Sequence, residues 1–524
     1  MGVAVTPYRF VLIPGRHHVL TRFQARYVAD LLAGRVLDTR GRPMTFANGA
    51  ELIWAVTSAN HANTRRNPIP ANRREVAIEL FSLEEHVRSL VVPVVDVAPT
   101  DRFAEITLKA VTAAIGESLV LTPDNTVVAT STPSVIALYD ELGFAIAPIE
   151  LDHPDRPLRA WDVLMLLANG DEAWREHAHL ATQDVFDRYG LAEQVRMVMA
   201  DPQVSAEGSL TETRNYGVYA AAFEAAAQRK WAQARPFVRP GRIVDVGCAT
   251  GAMLELAAKA PELAESDLYG IEVARHLYDE CVHKKAQGVF ANPNTFFYQR
   301  NILAGPVFPP ASIDTTLTFA LTHEIYSYGG GQSAIDRFVR TIFDHTAPAG
   351  VWINSDVCGP ESPDQMVRLV FHEPELSVEA RDLAARAADE VRAYLDGLTP
   401  AGRFRQFAQD FRRNADVAFP FTVLNDRTVA LRLGDAMEFM TKFRYTENWL
   451  SESHEQFCAL SWPDWLRIVR SAGFRVDERS GPWRNDWMVE HVFKRACRLT
   501  DKDGVEREWP VTHLLLVAVR SPAG

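Results

Sequence analysis

In the middle of the chain, short β-branched runs alternate with amphipathic stretches. Residues 241–251, GRIVDVGCATG, form an apolar run closed by a glycine-rich turn, and AMLELAAKA follows at once with apolar positions at helical spacing. LYGIE (268–272) reads as a second strand that stops on an acid. FFYQ (296–299), DTTLTFALT (314–322) and GVWINSD (350–356) read as further strands, with the helix SAIDRFVRTIFDH (333–345) before the last. Strands alternating with helices predict a parallel, doubly wound sheet.

The pattern changes after Pro360. Residues 362–445 carry Arg, Glu and Ala at helix spacing, most strongly in SVEARDLAARAADEVRAYLDGL, and predict a helical insertion that serves as a lid. SWPD (461–464) predicts an N-cap for the helix DWLRIVRSAG, which stops at Gly473. FRVDERS (474–480) and VTHLLLVAVR (511–520) read as the two final strands. The first 205 residues alternate in the same way: RFVLIPG, AELIWAVTSA and ESLVLTP read as strands, while FQARYVADLLAG, REVAIELFSLEEHVRSL and PSVIALYDELG read as helices. The strongly helical WDVLMLLANGDEAWREHAHLATQDVFDRYG closes this part, and DPQVSAEGSLTETRN (201–215) reads as a linker. The divisions expected are 1–205, a linker and leading helix over 206–240, a core over 241–361, the insertion over 362–445 and a returning part over 446–524.

Composition narrows the function classes. At 524 residues the chain exceeds one core, and 47% hydrophobic with 23% charged residues is ordinary for globular proteins. A net charge of −12 provides no bulk positive field, which disfavours a nucleic-acid-wrapping protein. The five cysteines lie far apart with no CxxC pair, a pattern of reduced thiols. No signal-peptide core and no membrane-length apolar run are present, so the expectation is a cytoplasmic protein without a membrane partner. No metal site is expected, and a homodimer is a candidate assembly.

A strand that ends in a glycine turn and opens a helix lets a ligand approach the backbone closely. Glu272 follows Gly251 by 21 residues at the end of the next strand, where a carboxylate can accept ribose hydroxyls. A dehydrogenase would carry GxGxxG, whereas this chain has Gly247-Cys-Ala-Thr-Gly251. VDVGCATG closely resembles motif I of the class I S-adenosylmethionine-dependent methyltransferases, over residues 241–360 and again over 461–520. The resemblance implies S-adenosyl-L-methionine as cofactor. It further implies that Asp245, Gly247, Cys248, Ala249 and Gly251 form the cofactor loop, that Glu272 holds the ribose, and that Asn301 and Ile302 meet the adenine. It also implies an antiparallel seventh strand in VTHLLLVAVR.

Methyl transfer needs mainly alignment, sometimes with a general base. Proton-handling candidates follow the fourth strand in His323, Glu324 and Tyr326, with Tyr328 beside them as a substrate contact. The alternative is that His323 caps the strand and the tyrosines pack under the insertion. Asp356 either orients a substrate or caps the next turn. Trp483 and Trp487, beside Arg484, either stack on a planar substrate or pack at the sheet edge.

The N-terminal part resembles the nicotinamide-mononucleotide adenylyltransferase-like nucleotidyltransferases. Gly15-Arg-His-His-Val-Leu-Thr21-Arg-Phe-Gln24 stands for the family's GRFQPxHxGH, and Ser58, Asn67, Pro68 and Arg73 match a second motif. The catalytic positions depart from the family: Phe23 replaces the glycine, Gln24 the final histidine, and Leu164 the late arginine. His17 and His18 are the only displaced substitutes nearby. The expectation is two α/β units: a methyltransferase acting on a small-molecule substrate and a degenerate nucleotidyltransferase-like domain for binding or assembly. The alternatives are a bifunctional nucleotidyl- and methyltransferase, or a non-catalytic cofactor-binding regulator.

Overall fold

A computed structural model of the chain describes residues 7–96, 100–116, 120–150, 157–201, 216–413 and 417–521. The linker expected over 201–215 lies, beyond Asp201, outside the described residues. The chain divides into two compact units, Met1–Gly208 and Ser209–Gly524.

The first unit runs β1 (Tyr8–Gly15), α1 (Arg22–Leu32), β2 (Phe46–Val56), α2 (Ala71–Glu84), β3 (Ser89–Pro93), α3 (Phe103–Ile115), β4 (Thr126–Thr130), α4 (Pro133–Glu141) and β5 (Ala145–Pro148). The strands form one parallel sheet in the order β3-β2-β1-β4-β5. Side chains alternate between the faces of a strand. Thus Val11 and Ile13 enter one core and Phe10 and Leu12 the other, as a sheet covered on both sides requires. The fourth strand lies later than ESLVLTP, of which residues 117–119 are outside the described residues. Its remainder enters a turn in which the Thr122 amide donates to Asn125 Oδ1 (2.8 Å) and Asn125 Nδ2 donates to the Val120 carbonyl (2.9 Å). Four helices follow, α5 (Ala160–Ala168), α6 (Trp174–His177), α7 (Leu180–Tyr189) and α8 (Leu191–Met199), around Leu164, Trp174 and Phe186.

The second unit opens with α9 (Tyr216–Ala234), β6 (Arg242–Val246), α10 (Ala252–Ala258), β7 (Asp267–Glu272), α11 (Arg275–Ala286) and β8 (Thr295–Gln299). It continues through β9 (Ile313–Phe319), α12 (Thr322–Gly329), α13 (Gln332–His345) and β10 (Thr346–Val357). An inserted layer contributes β11 (Met366–Phe371), α14 (Ala388–Asp396), α15 (Pro400–Asp410), β12 (Phe421–Asn425), β13 (Thr428–Arg432), α16 (Leu433–Lys442) and α17 (Trp449–His454). The chain then returns through α18 (Trp462–Ala472), β14 (Phe474–Val476), β15 (Gly481–Trp483), β16 (Cys497–Asp501) and β17 (His513–Arg520).

The main sheet is ordered β14-β17-β10-β9-β6-β7-β8, with β15 also on β17. Strands β8 to β10 run parallel to β6 and β7, and β17 is antiparallel to β10. The strand expected over 314–322 stops at Phe319, because Ala320 turns with φ +52° and Thr322 already begins α12.

The expectation of a purely helical insertion is corrected. The order β12-β13-β11-β16 forms a four-stranded antiparallel sheet, and three of these strands fall within 362–445. Of the segment read as its strongest helix, only Ala388–Asp396 is helical. Upstream, the Arg381 amide donates to Gln406 Oε1 (2.8 Å) and its carbonyl accepts from Gln406 and Gln409. Tertiary hydrogen bonds there replace the helical ladder, while Leu376 and Leu383 still bury in the layer's core.

Candidate functional site

The site gathers at the carboxyl edge of β6, β7, β9 and β10, where open α/β sheets bind ligands. Gly247 and Gly251 bound the loop after β6, with φ +71° and +79°. The left-handed turn at Gly247 favours glycine, and a Cβ there, 2.8 Å from Leu321 Cδ1, would also make that side chain shift. Ala249 between them is also left-handed, at φ +48°. Its amide donates to Glu272 Oε2 (2.9 Å), and its carbonyl accepts from the Cys281 thiol (3.1 Å). Those two bonds hold a conformation that a residue with a Cβ seldom takes.

Glu272 therefore first builds the loop. Its other oxygen accepts from the Val273 (2.9 Å) and Ala274 (2.8 Å) amides. Burial pushes its carboxyl up to about 7 in spite of these bonds, with the Glu324 charge acting the same way. Asp245, at 1% exposure, has no hydrogen-bond partner among the described residues on either carboxylate oxygen. Burial, then the neighbouring Glu272 charge, push it up to about 8. Lys230 on α9 lies over the Phe223 ring at 4.2 Å. Burial lowers its ammonium to about 8, partly opposed by Asp356 and Asp245.

A second cluster forms where α12 leaves β9. Asp356 Oδ2 accepts from the Thr322 amide (2.6 Å), the Thr322 hydroxyl (2.6 Å) and the His323 amide (3.2 Å), while Oδ1 lies 2.7 Å from His323 Nδ1. On the other side, His323 Nε2 is 3.4 Å from Glu455 Oε2. Burial alone would lower the imidazole, but Asp356 and Glu455 outweigh it and hold its pKa well above the usual value. Asp356 is held down to about 2, its burial overcome first by the His323 charge. Flanked by two carboxylates, His323 favours the imidazolium, a form with no lone pair left to accept a proton. The Tyr328 hydroxyl donates to Glu455 Oε1 (3.2 Å), and the Phe457 ring stands edge-on to His323 at 4.6 Å.

One ligand atom each from His323, Glu324 and Glu455 lies within 4.8 Å of the others, a spacing that would suit a cation only with the imidazole neutral, the form that Asp356 and Glu455 disfavour. The expectation of no metal site did not foresee this grouping, because Glu455 lies on the return from the inserted layer. Lys230 and the ion pair Lys442–Glu438 (2.8 Å, both side chains buried) were also unforeseen. Glu438 accepts from the Phe457 and Cys458 amides and Lys442 donates to the Glu455 carbonyl, so this pair pins the segment that carries Glu455. Its trace in the sequence is a Glu and a Lys four apart in LGDAMEFMTK, a helix otherwise buried along most of its length.

The remaining candidates separate. Cys248 is a buried thiol whose pKa is raised by Cys281 and by burial. Asn301 Oδ1 accepts from the Leu303 amide (2.9 Å), and Ile302 packs in the core beneath the sheet. Tyr326 packs against that same core. Trp483 stacks on His513 at 4.7 Å, whereas the exposed Trp487 stacks on His491 at 5.1 Å.

In the first unit, Thr21 Oγ1 accepts from the Gln24 amide and Gln24 Oε1 from the Thr21 amide, a capping box on α1. Gln24 Nε2 donates to Glu150 (3.2 Å), and Phe23 and Leu164 are core residues. His17 Nε2 lies 3.0 Å from the Ile13 carbonyl, and the His18 ring, 6.3 Å from Trp161, is buried. Burial holds both imidazoles neutral, His17 at about 4. Arg73 lies over the Tyr189 ring, while the buried guanidinium is Arg74, which donates to the carbonyls of Arg16, Thr57 and Ser58.

Among the described residues, no helix is long and apolar enough to cross a membrane. No protein-family model and no curated protein matches the chain. Solved structures do match, at low identity. The [4+2]-cyclase SpnF is 12% identical, with 58% of this chain and 82% of that one covered at a TM-score of 0.29. A putative S-adenosylmethionine-dependent methyltransferase from Listeria monocytogenes is 14% identical, covering 57% and 99% at 0.28. Geranyl diphosphate C-methyltransferase from Streptomyces coelicolor A3(2), solved with Mg2+, geranyl diphosphate and S-adenosyl-L-homocysteine, is 9% identical, covering 61% and 86% at 0.31.

Proposed function

We propose that the second unit transfers a methyl group from S-adenosyl-L-methionine to a small-molecule acceptor. The observation that carries this reading is one sheet edge that bears both the glycine-bounded loop with its partnerless Asp245 and the His323–Asp356–Glu455 cluster. The antiparallel pairing of β17 with β10 supports the reading, since the motif I resemblance implies an antiparallel last strand in VTHLLLVAVR.

The donor set fits such a cofactor. A buried carboxylate without a partner is costly, and a ligand ammonium or N–H would satisfy Asp245. Glu272 makes three hydrogen bonds with its two oxygens, and a carboxylate has about four acceptor positions, leaving room for a ribose hydroxyl. When bound, the cofactor supplies a methyl group already activated on a sulfonium. This chain's residues then align the acceptor and take its proton. Because His323 is held charged by Asp356, the receiving atom is a Glu455 carboxylate oxygen, and the imidazolium steadies the charges around it. His323 is the positioning centre of that pair. Phe457 shields it from water.

The first unit is read as a non-catalytic binding or assembly domain of nucleotidyltransferase type. Thr21 and Gln24 use their polar atoms on the start of α1, and neutral His17 and His18 carry no charge for a phosphate. The test uses the full-length protein. Metabolite extracts with methyl-labelled cofactor should yield a labelled small molecule, and Glu272→Ala should cut its yield at subsaturating cofactor by about 10- to 150-fold. Pyrophosphate release from nucleoside triphosphates should stay at the level of a Thr21→Ala/Gln24→Ala control. Label found only in RNA or protein would overturn the first reading, and sustained release above the control the second.

A further inference from the structure

The inserted layer holds a cavity of about 580 Å³ that shares no lining residue with the cluster around His323. Its wall includes Arg392, Arg403, Arg444, Arg495, Tyr445 and His491. That volume is typical of small-molecule sites. Two acids, Asp396 and Glu447, also line it, and both are engaged. Glu447 pairs with Arg392 at 2.5 Å, and Asp396 lies 3.6 Å from both Arg392 and Arg403. Arg403 additionally donates to the Leu395 carbonyl at 2.8 Å.

Arg444 and Arg495 differ. Both are exposed, and among the described residues neither guanidinium has a hydrogen bond, ion pair or ring contact. Uncommitted guanidiniums around one concavity concentrate positive potential, here on a chain whose net charge is −12. His491 adds a fifth nitrogen-bearing side chain, its ring fixed by stacking on Trp487 with 15° between planes. A guanidinium fork matches phosphate or carboxylate oxygens two at a time.

We propose that this cavity binds a small polyanion, a molecule bearing two or more phosphate or carboxylate groups, with Arg444 and Arg495 as the principal donors. The site stands apart from the methyl-transfer reading and does not depend on it. It adjoins the proton-handling cluster nonetheless. Tyr445 in its wall lies edge-on to Phe457 at 6.5 Å, and Phe457 lies edge-on to His323 at 4.6 Å. An occupant would press on the layer of rings that covers the imidazolium.

Calorimetry on the full-length protein at low ionic strength, with inorganic pyrophosphate and citrate as separate probes, tests this. At least one probe should bind with a Kd below about 1 mM, and Arg444→Ala/Arg495→Ala should weaken it at least about tenfold. Arg467→Ala/Arg470→Ala on α18 removes the same charge elsewhere and should change affinity less than about twofold. The pair Arg444→Lys/Arg495→Lys keeps charge but not the fork and should fall between; it carries the test if the alanine pair does not fold. Preference for pyrophosphate or for citrate tells phosphate from carboxylate. No binding of either probe at about 10 mM, unchanged affinity in the cavity pair, or equal loss in the α18 pair would overturn the proposal.

Discussion

The two units carry α/β sheets, all parallel in the first and with β17 reversed in the second, but finish their carboxyl edges with opposite chemistry. In the first, the groups after β1 and β2 are neutral imidazoles and a guanidinium bonded to three backbone carbonyls. In the second, Asp356 and Glu455 flank one imidazole, and a separate buried carboxyl, Asp245, has no hydrogen-bond partner among the described residues. The difference lies in whether the fold itself consumes the polar atoms at the edge. Where it does, as with Thr21, Gln24 and Arg74, little remains for a ligand. Where it does not, as at Asp245, a buried carboxyl is left whose polar atoms a ligand can satisfy.

The hardest blow to that contrast would come from the imidazoles. Glu455→Gln and His323→Ala are expected to lower turnover by about 10²- to 10⁴-fold while S-adenosylhomocysteine affinity stays within about threefold. His18→Ala should leave turnover unchanged. Steady-state kinetics showing equal losses at His18 and His323 would erase the distinction between the units.

At the next scale, Glu272→Ala should weaken S-adenosylhomocysteine binding by about 10- to 150-fold, the worth of a buried charged hydrogen bond. Gly247→Val, with its Cβ against Leu321, should do at least as much. Calorimetry of folded variants that bind like the parent would move the cofactor away from this loop.

A titration sharpens the comparison further. Folded Asp245 (about 8) and Glu272 (about 7) both lie above their ordinary carboxylate values. The native chain therefore holds protons that the unfolded chain has released, and these two groups lower stability as pH climbs from about 4 toward 8. A cationic ligand favours both carboxylates, so binding near pH 7 should release about one proton. Calorimetry in buffers of differing ionisation enthalpy reads this directly, and Asp245→Asn should diminish it. Asp356 behaves oppositely: its contribution is present above the ordinary carboxylate range and is lost as pH falls through about 2. His323, raised, contributes below the usual imidazole pKa and loses that contribution as pH rises through its elevated value.

The smallest effect belongs to the first unit. Thr21→Ala removes the cap of α1 and should cost about 1 kcal/mol of that unit's stability, with cofactor affinity unaltered. Differential scanning calorimetry that shows no shift would mean the capping box is idle.

Much of this was legible because it is local. The loop Gly247–Gly251, the acid at the end of β7 and the Ser461–Asp464 capping box with its Gly473 stop are each written within a few residues. The inserted sheet was not, since β11 finds its partner β16 only after the chain has returned through β14 and β15. The hairpin FTVLNDRTVALR did alternate, and its signal was lost beneath the helical periodicity on either side. Glu455 was illegible for the same reason: nothing near His323 in sequence announces a carboxylate delivered by the insertion and pinned by Glu438 and Lys442.

The position of β17 has a consequence for synthesis. It lies between β10 and β14, with Val357 paired to His513 and Val476 to Ala518. Until residues 513–520 leave the ribosome, β10 is an open edge and β14 has no neighbour to pair with. Contacts so distant in sequence close late and slowly, and an unpaired strand edge invites other chains. Until then the backbone edge of β10 from Val351 to Val357 lacks its antiparallel partner. Stalled or C-terminally shortened chains should be taken by chaperones, whereas the first unit, whose strands all emerge by Pro148, can fold early.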